Sequence, residues 1–254
     1  MFTVLEIKPF VPQPFFRRIF AKPPQPTVEK VAVRGGAFFY KVTVSTDKTG
    51  ALDVSFLPYA VGAAAQRILF CGACELPLPA PLQLFAPRIF PTVLFINTAC
   101  AFLQTHRPQF SNAVIGIFDP NAQLQTAVNR FVPYAKTIRI YCEDPSQYET
   151  VQAEVLSSVG LSIVVSNTPT ALNGCDIVLS PYLQTGDGKI GTLTVFRGGK
   201  TVFAGEGITL PPEYEARCFT GTDKISFASA LYECCNTLDL HDLQYTKFVP
   251  VKSP

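Results

Sequence analysis

The chain has 254 residues, enough for one large domain or two of ordinary size, and its 48% hydrophobic and 16% charged residues exclude a disordered or polyelectrolyte chain. Lys and Arg number 21 against 19 Asp and Glu, so composition carries no clustered basic footprint for nucleic acid. The longest apolar stretch, Ile89 to Leu103, is shorter than the ~20 residues of a membrane span. It also holds Pro91, Thr92, Asn97 and Thr98, and reads as a buried helix. The first residues, MFTVLEIKPFVPQPFF, lack the basic start, apolar block and cleavage site of a signal peptide, so a cytoplasmic protein without membrane partners is expected. Eight cysteines in such a compartment imply reduced thiols. Cys71 and Cys74 form a CxxC, but no second pair at similar spacing exists to complete a zinc site, and packing is the expected role.

Over the first twenty-five residues, Pro9, Pro12, Pro14, Pro23 and Pro24 interleave with Phe10, Phe15, Phe16 and Phe20. This segment is read as unable to form a regular helix or a central strand, and as wrapping along a surface. VEKVAVRGGAFFYKVTVS places two β-branched and aromatic runs around Gly35 and Gly36, which predicts a hairpin. Leu57 to Phe70 reads as a small-residue helix started by Pro58, and Pro91 to Thr105 as a second, buried one.

From Ser111 to Pro181 strands and helices alternate. Ala113 to Phe118 is a strand-length apolar run. Asp119 and Pro120 then supply an N-cap and first helical residue, with Leu124, Ala127, Val128, Phe131 and Val132 on one face. Thr137 to Cys142 is a second strand, followed by a helix opened by Asp144 and Pro145 with Tyr148, Val151, Val155, Leu156 and Val159 as its apolar face. Leu161 to Ser166 and Cys175 to Leu179 are the third and fourth strands. Such alternation implies right-handed crossovers and a parallel sheet covered on both faces. Beyond Pro181, Thr192 to Phe196 and Thr201 to Ala204 flank Gly198 and Gly199 as another hairpin. A last helix from Thr222 or Asp223 presents Phe227, Leu231, Cys234 and Leu238.

The order of elements from Asn112 to Pro181, the acidic pair Glu143 and Asp144 after the second strand, and the run TALNGCDIVLSP resemble the Rossmann domain of NAD(P)-dependent dehydrogenases. The likeness is to the shikimate dehydrogenase and glutamyl-tRNA reductase type, and it covers about 70 of the 254 residues. It implies an α/β fold: a Rossmann-like parallel sheet over 111–254, preceded by a smaller α+β module over 1–110. It also implies NAD or NADP as the cofactor, if any, with Gly116, Asp119 and Asn121 at the phosphate turn and Glu143 or Asp144 at the ribose. The departure is the glycine fingerprint, for which this chain has Gly116, Ile117, Phe118, Asp119, Pro120 and Asn121. A pyrophosphate needs bare backbone N–H groups at a helix start. Here Pro120 has none, and a phosphate ~4 Å from the Asp119 carboxylate meets repulsion of ~1 kcal/mol in water and ~4 kcal/mol at an effective dielectric near 20. Asp119 and Asp144 also read as plain N-caps.

Two histidines, His106 and His241, leave little room for triad or metal chemistry, and neither HExxH nor GxSxG occurs. The family's catalytic Lys and Asp have no counterpart in residues 1 to 110. The expected function is a degenerate dinucleotide site that binds a small ligand or protein partner without dehydrogenase chemistry. Two alternatives stand beside it: an NAD(P)-dependent oxidoreductase with an atypical phosphate turn, and an assembly protein using the Phe-rich N-terminal surface.

Overall fold

The computed structural model describes the chain outside residues 10–23, 48, 73–76, 108–111, 183–189, 206–207, 218–221, 239–243, 246–247 and 251–254. It is a mixed α/β protein that divides into two compact units, one of residues 1–90 and 210–243, the other of 91–209 and 244–254. The boundary expected near residue 110 therefore falls some twenty residues earlier, and the segment carrying the last helix belongs to the N-terminal unit.

In the first unit, β1 (Thr3–Lys8), β2 (Thr27–Ala32), β3 (Phe38–Ser45) and β4 (Ile68–Cys71) form a sheet in the order β2-β3-β1-β4. The β2–β3 hairpin turns at Gly35 and Gly36, both at positive φ, as the Gly-Gly pair predicts. β1 corrects the reading of the N-terminus: it lies in the middle of the sheet, parallel to β3 and β4. The physical reason is that TVLEIK contains no proline and donates to both neighbours; the proline run begins only at Pro9. The helix expected over 57–70 is also shorter. It is α1 (Leu57–Val61), then a 3-10 stretch Gly62–Gln66, and the β-prone Ile68, Leu69 and Phe70 enter β4. In this unit Phe2 stacks on Phe39, and Phe227 meets both rings edge-on. Phe227 belongs to the last long helix, whose Asp223 cap accepts the Ser226 N–H at 2.8 Å.

The second unit opens with α2 (Phe90–Thr105), matching the buried helix read from the sequence. Its sheet contains β5 (Ala113–Phe118), β6 (Ala135–Tyr141), β7 (Ser162–Ser166), β8 (Ile177–Tyr182), β9 (Ile190–Arg197), β10 (Lys200–Gly205) and β13 (Phe248–Pro250), ordered β13-β10-β9-β8-β5-β6-β7. A separate short ladder pairs β11 (Ile208–Thr209) with β12 (Gln244–Tyr245). The four strands expected to be parallel are so: β6 lies between β5 and β7, and β8 flanks β5 on the other side. β9 and β10 form the antiparallel hairpin expected around Gly198 and Gly199.

Three expectations about covering elements are corrected. The helix between β5 and β6 is replaced by 3-10 turns, Gln125–Arg130 and Val132–Tyr134, although Leu124, Ala127, Val128 and Phe131 are buried as the pattern required. Pro133 interrupts the segment and denies an α-helical donor. The helix α3 (Glu149–Val159) buries Val151 and Val155, but Leu156 and Val159 are exposed at 59% and 61%. The sheet is also not covered equally on its two faces. Ile115, Ile117, Ile138, Ile140, Ile177 and Leu179 join Phe95, Phe102, Val128, Phe131, Val151 and Val155 in one core. On the opposite face, the described element over β6 and β7 is the single 3-10 turn Pro169–Leu172.

Candidate functional site

The chain leaves β5 toward β6 and β7 on one side and returns to β8 on the other, so successive crossovers diverge at the carboxyl ends of β5 and β8. In open α/β sheets such a point is where ligands bind. Here the space is about 30 Å³, lined by Pro91, Thr92, Phe95, Asp119, Gln123, Leu124 and Pro181. A drug-sized ligand needs roughly 300 Å³ or more.

Asp119 lines this space. It follows β5 directly, and its N–H donates to the Tyr141 carbonyl at 3.0 Å, tying it to β6. Its carboxylate, only 4% exposed, accepts the N–H of Gln123 at 3.0 Å and of Leu124 at 2.9 Å. The buried Tyr148 phenol donates to the same group. An N-cap serves residues two or three ahead; Asp119 instead reaches four and five ahead, which makes a wider loop with Ala122 at φ 53°. The carboxylate thus holds two converging backbone donors of the kind a phosphate would need.

The remaining expected cofactor residues are dispersed. Gly116 is buried within β5 rather than in the turn, and Asn121 is exposed on the loop. A Cβ on Gly116 would meet Val178 Cγ2 at 2.9 Å and Cys175 Sγ at 3.0 Å, so close packing requires glycine there. Asp144 caps the turn Pro145–Tyr148, accepting from the Ser146 N–H at 3.2 Å, the Ser146 hydroxyl at 2.6 Å and Gln147 Nε2 at 3.1 Å. The Ser146 hydroxyl, then Gln147, hold its carboxyl below the usual range. Glu143 is exposed, and its N–H donates to the Pro120 carbonyl at 3.1 Å. Between these loops, burial pushes the Cys142 thiol up, and the thiol donates to the Asp144 carbonyl at 3.3 Å. In the run TALNGCDIVLSP, Asp176 has a structural task. Its carboxylate accepts the Val114 N–H at 2.7 Å and its own N–H donates to the Val114 carbonyl at 2.9 Å, extending the β5–β8 ladder.

A larger cavity, about 420 Å³, lies on the less covered sheet face. Phe118, Leu172, Val178 and Phe196 form its apolar walls, with Cys175 and Ser180 among the polar groups. A cross-sheet row runs beneath it: Val164, Arg139, Gly116, Val178 and Phe196, from β7 through β6, β5 and β8 to β9. Arg139 Nη1 donates to the Asn173 carbonyl at 2.9 Å, and Asn173 and Gly174 line the cavity rim. Burial raises the Cys175 thiol, and the nearby Arg139 charge opposes this. Sequence reasoning does not single out Arg139 or Tyr148 as site residues. The one signal for Arg139 is a lone cation alternating with Ile138 and Ile140 in a strand; for Tyr148, it is only a place on an apolar face.

His106, which follows the last residue of α2, stacks on Phe102 at 4.3 Å between ring centres and lies 5.1 Å from Phe203, inside the second unit. His241, Cys74, Cys218 and the Phe-rich stretch through residue 20 fall outside the described residues. The six described cysteines are free thiols, and among the described residues no cluster of three His, Cys, Asp or Glu is placed to hold a metal. No helix among the described residues is long and apolar enough to cross a membrane. No protein-family model, curated protein or solved structure matches the chain.

Proposed function

We propose that the second unit is a Rossmann-like domain that has given up its dinucleotide, and that the protein is a non-catalytic binding module rather than a dehydrogenase. The parallel order β7-β6-β5-β8, third-second-first-fourth along the unit, supports the fold reading. The functional reading is carried by one observation: the Asp119 carboxylate lies on the N–H groups of Gln123 and Leu124. An anion arriving there must displace a buried carboxylate and then face its charge, a repulsion of ~4 kcal/mol at an effective dielectric near 20.

Calorimetric titration with NAD(H) and NADP(H) tests the proposal. The unmodified protein is expected to show no micromolar binding. Replacing Asp119 with Gly and Pro120 with Ala frees the donors, leaves the Tyr148 hydroxyl aimed at the vacated place, and is expected to raise dinucleotide affinity at least tenfold. Micromolar binding by the unmodified protein overturns the reading and restores that of an oxidoreductase.

A further inference from the structure

We infer that the 420 Å³ cavity over β5, β8 and β9 is a binding site for an uncharged, apolar small molecule. It shares no lining residue with the space beside Asp119, so the inference goes beyond the proposed function and stands whichever way the dinucleotide titration falls.

Three features converge on that ligand. The first is incomplete covering. β5 lies between two parallel neighbours, β6 and β8, and parallel sheets are ordinarily covered on both faces. Yet Phe118 on β5 and Val178 on β8 are left half-buried, as are Leu172 and Cys175. Val178, Cys175 and Leu172 would lie 2.9, 3.0 and 3.3 Å from a Cβ on Gly116. They close the space over that glycine, so the cavity is bounded there by packed side chains. The second feature is size: the cavity falls within the ~300–1,000 Å³ span of small-molecule sites. The third is the chemistry of the lining. Phe118, Phe196, Leu172, Val178 and Pro169 supply apolar surface, and among the described residues no charged side chain lines the cavity. Its polar members are neutral. Ser180 is 4% exposed, and burial raises the Cys175 thiol, which keeps it protonated.

An ion entering this space would lose hydration and meet no opposite charge. An uncharged apolar molecule instead gains by leaving water, and it completes the burial of Phe118, Leu172 and Val178. Cys175 serves as a reporter. It is half-buried in the lining, so an occupied cavity shields its thiol from alkylation.

The experiment compares uncharged naphthamide with the anion naphthoate and the cation naphthylmethylammonium on the intact chain, by calorimetry and by mass spectrometry of the iodoacetamide-labelled Cys175 peptide. Saturable naphthamide binding is expected, about tenfold or more tighter than either ion, with protection of Cys175. Leu172→Trp puts a larger side chain into the lining and is expected to weaken naphthamide binding by about tenfold or more. Either ion binding as tightly as naphthamide overturns the inference, as does naphthamide binding that leaves Cys175 labelling unaffected, or no saturable binding of naphthamide. A folded Leu172→Trp protein with unchanged naphthamide affinity overturns it too. The probe comparison on the unmodified chain decides the matter even if Leu172→Trp does not fold.

Discussion

Tyr148 and Asp119, 29 residues apart in the chain, form a buried hydrogen-bonded pair that joins the turn opening α3 to the loop leaving β5. The pair is a structural joint between the two loops. The phenol and the two backbone N–H groups together give the carboxylate three donors inside the fold, which is what allows it to lie at 4% exposure.

Tyr148→Phe removes one of those donors from a charged acceptor and is expected to cost about 1.5–3 kcal/mol. Asp119→Ala strands two backbone N–H groups and the phenol at once, so it is expected to cost more than Tyr148→Phe, by about 1 kcal/mol or more after water enters the adjoining space. Urea denaturation of both variants measures the order. Equal stability of Asp119→Ala and the unmodified protein would mean that the joint contributes nothing.

The same pair predicts a pH dependence. Burial, then the neighbouring Asp119 charge, push the Tyr148 phenol far above its ordinary value of 10.0. Above that value the unfolded chain releases the phenolic proton while the folded chain keeps it, so folding loses stability as pH rises. The stability difference between the unmodified protein and Tyr148→Phe is therefore expected to be constant below 10.0 and to shrink above it. Denaturation curves at stepped alkaline pH read this directly. A difference that stays flat through about pH 11 rules out a buried, protonated Tyr148.

Two glycines separate conformational from steric demand. Gly160 ends α3 at φ 71° with nothing within 4 Å of the place a Cβ would occupy, so Gly160→Ala is expected to cost about 1 kcal/mol from left-handed strain alone. Gly116 has an ordinary backbone but no room, and Gly116→Ala is expected to cost about 1–3 kcal/mol through overpacking against Val178 and Cys175. Val178→Ala removes the nearest contact, so the double variant is expected to be more stable than the two single costs add up to. Strict additivity would show that the contact at Gly116 is relieved elsewhere.

Much of the architecture was legible in local pattern. The four apolar runs from Ala113 to Leu179 became parallel strands, and Gly-Gly pairs at 35–36 and 198–199 became hairpin turns. These readings succeed because strand alternation and positive-φ turns depend on a few neighbouring residues.

What only the tertiary structure decided depends on partners distant in the chain. β1 is central because its pairing with β3 and β4 is set by the sheet, while the prolines that suggested otherwise begin one residue after it ends. Residues 210–243 group with 1–90 because Phe227 completes an aromatic cluster with Phe2 and Phe39, a contact with no local signature. Period-2 alternation places Gly116, Arg139 and Val178 on one face, but not which face the helices leave open. Nor does it place the Tyr148 phenol on Asp119 or a cavity beside Arg139, since both arise only when β5, β6 and β8 lie side by side.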